Sequence, residues 1–74
     1  MIIEIKPNEY INTDHIIYFK RSMDIKHGFN NTITEHWHVY VDLVGRSITI
    51  NFDQDEAEAN VLIRKLLKAC NENI

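Results

Sequence analysis

The spacing of apolar residues changes once along this chain, at Asp53, and that change restricts the fold more than any other feature. Upstream of it, Ile33, Trp37, Val39, Val41 and Leu43 fall on one side of an alternating pattern broken only by Glu35. Thr34, His36, His38, Tyr40 and Asp42 fall on the other side. Successive side chains of a strand point to opposite faces, so this spacing predicts a half-buried strand over 33–44. Gly45-Arg46 supplies a tight turn. Ile48, Ile50 and Phe52 then alternate with Ser47, Thr49 and Asn51 and predict a strand over 47–52 that closes a hairpin.

Beyond Asp53 the period is about 3.6 residues, the repeat of a helix. Ala59, Leu62, Ile63, Leu66, Leu67 and Cys70 form one apolar stripe. Asp55, Glu56 and Glu58 sit toward the positive end of the helix dipole, with Arg64, Lys65 and Lys68 toward the negative end. Asp53 followed three residues later by Glu56 has the spacing of a capping box. A helix over 54–71 is therefore expected.

The first half of the chain is written in β-branched residues. Isoleucine occurs twelve times against four leucines, and three of those leucines fall between 62 and 67, which places strands first and the helix last. Met1 to Lys6 reads as an edge strand ending at Pro7, which has no N–H to give a ladder. Asn8-Glu9 turns the chain. Tyr10 to Asp14 reads as a bend, because the Asn12, Thr13 and Asp14 side chains can bond to nearby backbone, and a strand over 15–22 follows. Met23 to Thr32, with Gly28 and Asn30-Asn31 inside it, reads as an extended hairpin tip. Its Met23, Ile25 and Phe29 are apolar in a place where loops are polar.

These elements add up to an α+β domain: an antiparallel sheet of about four strands in chain order, covered on one face by a single C-terminal helix, ββββα. One helix covers one side. The face bearing Thr34, His36, His38, Tyr40, Ser47, Thr49 and Asn51 is left to water or to a partner.

Seventy-four residues make one domain over 1–74. A chain this short buries only about 60% of the surface its unfolded form exposes, so association would add stability it otherwise lacks. A single cysteine excludes an intramolecular disulfide and points to a reducing, cytoplasmic setting. Apolar runs of only a few residues, and Glu4 and Lys6 near the amino terminus, speak against a membrane span or a signal peptide. A net charge of −3 lacks the basic excess of a general nucleic-acid binder.

Four chemistries are open to this frame. His36 and His38, two apart on a strand, can offer two imidazoles to one metal ion. Zinc takes three or four ligands, so His15, His27 or Asp42 would have to join them. The plainer reading, two sheet histidines making hydrogen bonds, is preferred, and neither metal nor cofactor is assigned. Catalysis finds no nucleophile elbow, phosphate-cradling glycine loop or paired carboxylates. Cys70 reads as a small core residue and His27 has no orienting partner, so the chain reads as a non-enzyme.

Nucleic acid is the alternative ligand. Tyr18, His36, His38 and Tyr40, with Lys20, could form a sheet platform for unstacked bases. The element order resembles that of single-stranded nucleic-acid binders of the positive-cofactor and purine-rich-element (PUR) types, which pair two sheets into a dimer. Against this, Lys20, Arg21, Lys26 and Arg46 are nearly balanced by Asp24, Glu35 and Asp42, so phosphate attraction would be weak. Tyr10-Ile11-Asn12-Thr13-Asp14-His15-Ile16, followed by alternating strands, a Gly turn and an amphipathic helix, resembles the plan of small bacterial and bacteriophage ββββα proteins. That resemblance spans nearly the whole chain and implies a bacterial or phage origin, with no activity attached.

Protein association uses the most features: small size, an uncovered sheet face, edge strands and an apolar loop tip. The expected function is a non-enzymatic interaction domain, a homodimer through its sheet face or an edge strand, that binds another protein. Tyr18, Met23, Phe29, His36, His38 and Tyr40 are the expected contact residues.

Overall fold

The alternating segments fold as strands and the 3.6-period segment as a helix, in a computed structural model that describes residues 1–71. Residues 72–74 of the expected domain lie outside the described residues. Five antiparallel strands form two sheets. β1 (Ile2–Lys6) pairs with β2 (Glu9–Asn12), while β3 (Ile16–His27), β4 (Ile33–Leu43) and β5 (Arg46–Asp53) form a three-stranded meander in that order. The single α-helix among the described residues, α1 (Glu56–Asn71), follows β5.

Two expectations are corrected here. The bend expected over Tyr10 to Asp14 is a strand as far as Asn12, and only Thr13–His15 turns, as one 3-10 turn. Asn8 carries this change: with φ 64 it completes a two-residue turn behind Pro7, so the chain folds straight back and Ile11 lies opposite Ile3. Asn tolerates the left-handed region better than other side-chain-bearing residues. The first strand thus finds its partner locally and stays out of the main sheet.

The second correction concerns Met23 to Thr32, expected as a loop. β3 runs on to His27, and each residue from Ser22 to His27 has a partner in β4, with Met23 opposite Trp37, Asp24 opposite His36 and Lys26 opposite Thr34. Only Gly28–Thr32 remain at the tip, where Asn30 and Asn31 take φ 57 and 60.

The apolar sides of both sheets meet the helix. Ile5 and Ile11 join Val39, Val41, Leu43 and Ile50 around Ala59, Leu62 and Leu66, with Trp37, Ile48 and Phe52 packed against the cluster. Val39, Val41 and Leu66 are fully buried. The helix's buried stripe is Ala59, Leu62, Leu66 and Ala69, and Leu67, expected on it, is 48% exposed. The cap is also shifted from its expected place. Asp55, not Asp53, accepts the Glu58 N–H at 3.1 Å, and the helix begins at Glu56. Asp53 instead sits at φ 51 beside a bulge where Trp37 faces Asp53 and His38 faces Asn51. Two residues of β5 answer one step of β4 there, which turns the chain off the sheet and onto the helix.

Arg21 fastens the helix start to the sheet. Its guanidinium lies 4.8 Å from the Trp37 ring centre, 3.7 Å from the Glu56 carboxylate, and donates to Asn60 Oδ1. Beyond that level the sheet loses its third strand, because β5 ends opposite Trp37. β3 and β4 continue alone as a two-stranded arm of four paired residues, Asp24 to His27 against Ile33 to His36, or about 14 Å before the tip. The molecule measures 48 × 23 × 23 Å, and its radius of gyration of 14.0 Å exceeds the about 11 Å of a compact chain this size.

Candidate functional site

Directly opposed residues of an antiparallel pair share a face, so the register sorts the candidate residues. Tyr18, Lys20, Ser22, Asp24 and Lys26 of β3 stand opposite Asp42, Tyr40, His38, His36 and Thr34 of β4. The face left open by the helix therefore carries four of the six expected contact residues: Tyr18, His36, His38 and Tyr40. Met23 does not join them. It lies opposite Trp37 on the helix side of the sheet, past the end of the helix, and is 38% exposed. Phe29 stands apart from both groups, at the tip, 92% exposed.

The open face is organised in two parts. At its base the Tyr18 and Tyr40 rings lie 6.1 Å apart and tilted by 58°. The Tyr40 hydroxyl donates to Ser47 Oγ and Ser47 donates to Asp42 Oδ1, each at 3.0 Å. This chain of hydrogen bonds orients the Tyr40 ring and engages one oxygen of the Asp42 carboxylate. Farther out, His36 Nε2 is 3.0 Å from Thr34 Oγ1, and His38 Nδ1 is 3.7 Å from the Asp24 carboxylate. Both imidazoles line a shallow concavity of about 280 Å³ with Asp24, Lys26, Thr49 and Asn51.

Of the further ligands a metal would need, His15 lies in the turn before β3, bonded through its carbonyl to Val44 N–H at the far end of the sheet. His27 lies opposite Ile33 on the other face. Asp42 is held by Ser47. Among the described residues no group of three or more His, Cys, Asp or Glu side chains is placed to hold a metal ion. For an unstacked base, the two tyrosines are tilted against each other rather than laid flat, and Asp24 and Asp42 share the face with Lys20 and Lys26. Arg21, counted with the basic residues in sequence, is on the opposite face and engaged with Glu56.

The arm is the feature that loop-like composition concealed. On its helix side Met23, Ile25 and Ile33 stand in the open, with Ile25 55% and Ile33 62% exposed. Ile33 begins the alternation of the covered face and lies on that face, but it is left open beyond the helix. The residues missed in sequence, Asp24 and Lys26 beside the histidines, belong to a run, Met23-Asp24-Ile25-Lys26-His27, that itself alternates. That period was the available signal. Gly28 and the asparagines after it outweighed it.

No protein-family model, curated protein or solved structure matches the chain. No helix among the described residues is long and apolar enough to cross a membrane.

Proposed function

We propose that this protein is a non-enzymatic interaction domain that self-associates as a dimer and holds a protein partner through its β3–β4 arm and open sheet face. The observation that carries this is the arm: a two-stranded ribbon beyond the helix and β5, with Met23, Ile25, Ile33 and Phe29 exposed on and around it. A two-stranded ribbon is marginal alone in water. A long strand edge with apolar neighbours is a template for another chain. Tyr18, His36, His38 and Tyr40 supply the adjoining aromatic and polar contact surface, of the composition common at protein interfaces.

A cytoplasmic setting belongs with this function, since Cys70, the one cysteine, is a free thiol on the helix. The Tyr10 to Ile16 segment supports an accessory protein of a bacterium or phage. Nucleic acid is the less favoured ligand, because the open face carries acidic as well as basic groups and phosphate binding depends on net positive contacts.

Solution mass by light scattering, at low and high salt and with a mixed single-stranded oligonucleotide, tests the function. The expected result is a mass of twice 8.8 kDa that neither salt nor oligonucleotide changes. A particle of one chain at every concentration would overturn self-association. Oligonucleotide binding that weakens steeply with salt would replace the protein partner with a nucleic acid.

A further inference from the structure

The open edge of the arm carries a register of its own. β3 pairs with β4 alone, so its other edge has no partner strand among the described residues. Gly28 N–H donates to the Thr32 carbonyl at 2.8 Å. Counting back through an antiparallel ladder, Lys26, Asp24 and Ser22 bond inward to β4. The N–H and C=O groups of Met23, Ile25 and His27 then point outward. Three residues with outward-pointing donors and acceptors, running from the level at which β5 ends to the tip, are the exposed edge at which a further strand can add.

Resting on the self-association proposed above, we infer that the occupant of this edge is the same edge of a second copy, antiparallel, with the two-fold axis at Ile25. The charge pattern selects this register. With Ile25 opposite the partner's Ile25, Asp24 faces the partner's Lys26 and Lys26 faces the partner's Asp24, giving two ion pairs on the polar face. On the apolar face Met23 meets the partner's His27, next to the two central isoleucines. Moving the axis one residue either way puts Asp24 against the partner's Asp24 or Lys26 against the partner's Lys26, and opposed like charges destabilise a pair of strands. An axis at Met23 opposes Lys20 to the partner's Lys26.

Axes outside 23–26 can also avoid like charges, and of these the one at Ser22 adds an attraction, since Lys20 would face the partner's Asp24. It needs the stretch toward Ile16, where the β3 register is irregular, and it brings Met23 against the partner's Arg21, which the helix already engages. β5 also has an outer edge, but it is shorter and ends in a bulge at Asp53, a feature that discourages strand addition. Pairing at Ile25 joins two three-stranded sheets into one of six strands and gives the exposed Ile25 a neighbour of its own kind.

Charge reversal tests the register directly. Asp24→Lys sets two lysines against each other at both ends of the interface, and Lys26→Asp sets two aspartates. Each variant alone should associate at least about tenfold more weakly than the natural chain, as expected for replacing two attractive cross-strand pairs by repulsive ones. Mixing the two should restore a dimer containing one chain of each, and the double variant D24K/K26D should dimerise like the natural chain. Both positions are exposed, so helical circular dichroism should be unchanged in all of them. If the natural chain is a monomer, self-association itself fails. If it dimerises but Lys26→Asp dimerises as tightly, the two chains meet at Ser22, at β5 or on the open face, and the Ile25 register is wrong.

Discussion

Leu66 and Leu67 are neighbours in the chain and opposites in the fold. Leu66 is fully buried between the sheets' apolar sides, while Leu67 is 48% exposed. Truncating Leu66 to Ala should cost about 3 kcal/mol, the usual loss of transfer energy plus cavity, and Leu67→Ala well under 1 kcal/mol. Urea unfolding with an unchanged slope reads the difference. The helix start gives a second pair. Asp55→Ala removes the acceptor for the Glu58 N–H and should cost about 1 kcal/mol. Asp53→Gly should be neutral or stabilising, because φ 51 at that position is easier for glycine. Equal losses at 53 and 55 would contradict this placing of the cap.

At the level of elements, Arg21 joins β3 to α1, and its contribution is shared among a ring contact, an ion pair and a hydrogen bond. The side chain is 39% exposed, so solvent screens the ion pair, and the sum should be only about 1 kcal/mol. Arg21→Ala should lower stability by that amount and shift Trp37 fluorescence. Arg21→Lys should recover less than half, since an ammonium lacks the planar fork. The strand alternation of 33–44 and 47–52 and the period of the helix were legible because each buries one face against the other. The hairpin of β1 with β2 was not, since it turns on the left-handed conformation of Asn8 and not on any period. The outer part of β3 was obscured for a related reason: no helix covers it, so its apolar residues looked like loop irregularities instead of one side of a strand. Placing Tyr18, His36, His38 and Tyr40 on one face needed only the parity of the strands. Setting Asp24 and Lys26 beside them needed the length of β3.

The whole molecule divides into a packed body and an arm that contributes little to it. Every residue of the buried cluster lies outside the segment 23–36. A chain in which residues 25–35 are replaced by an Asn-Gly turn keeps that cluster, and the turn closes directly on the opposed residues Asp24 and His36. It should retain cooperative unfolding and helical circular dichroism but sediment as one chain. Loss of folding in this variant would show that the arm belongs to the core. The arm's own association is read most directly by amide hydrogen exchange of the natural chain at low and high protein concentration. Raising the concentration should slow exchange at Met23, Ile25 and His27, whose N–H groups point to the open edge, by a larger factor than at Val39 and Val41 of the buried cluster, which gain only the stability that association lends the whole fold. Arm amides that exchange at the same rate at both concentrations, in samples shown by scattering to differ in mass, would contradict association through the arm.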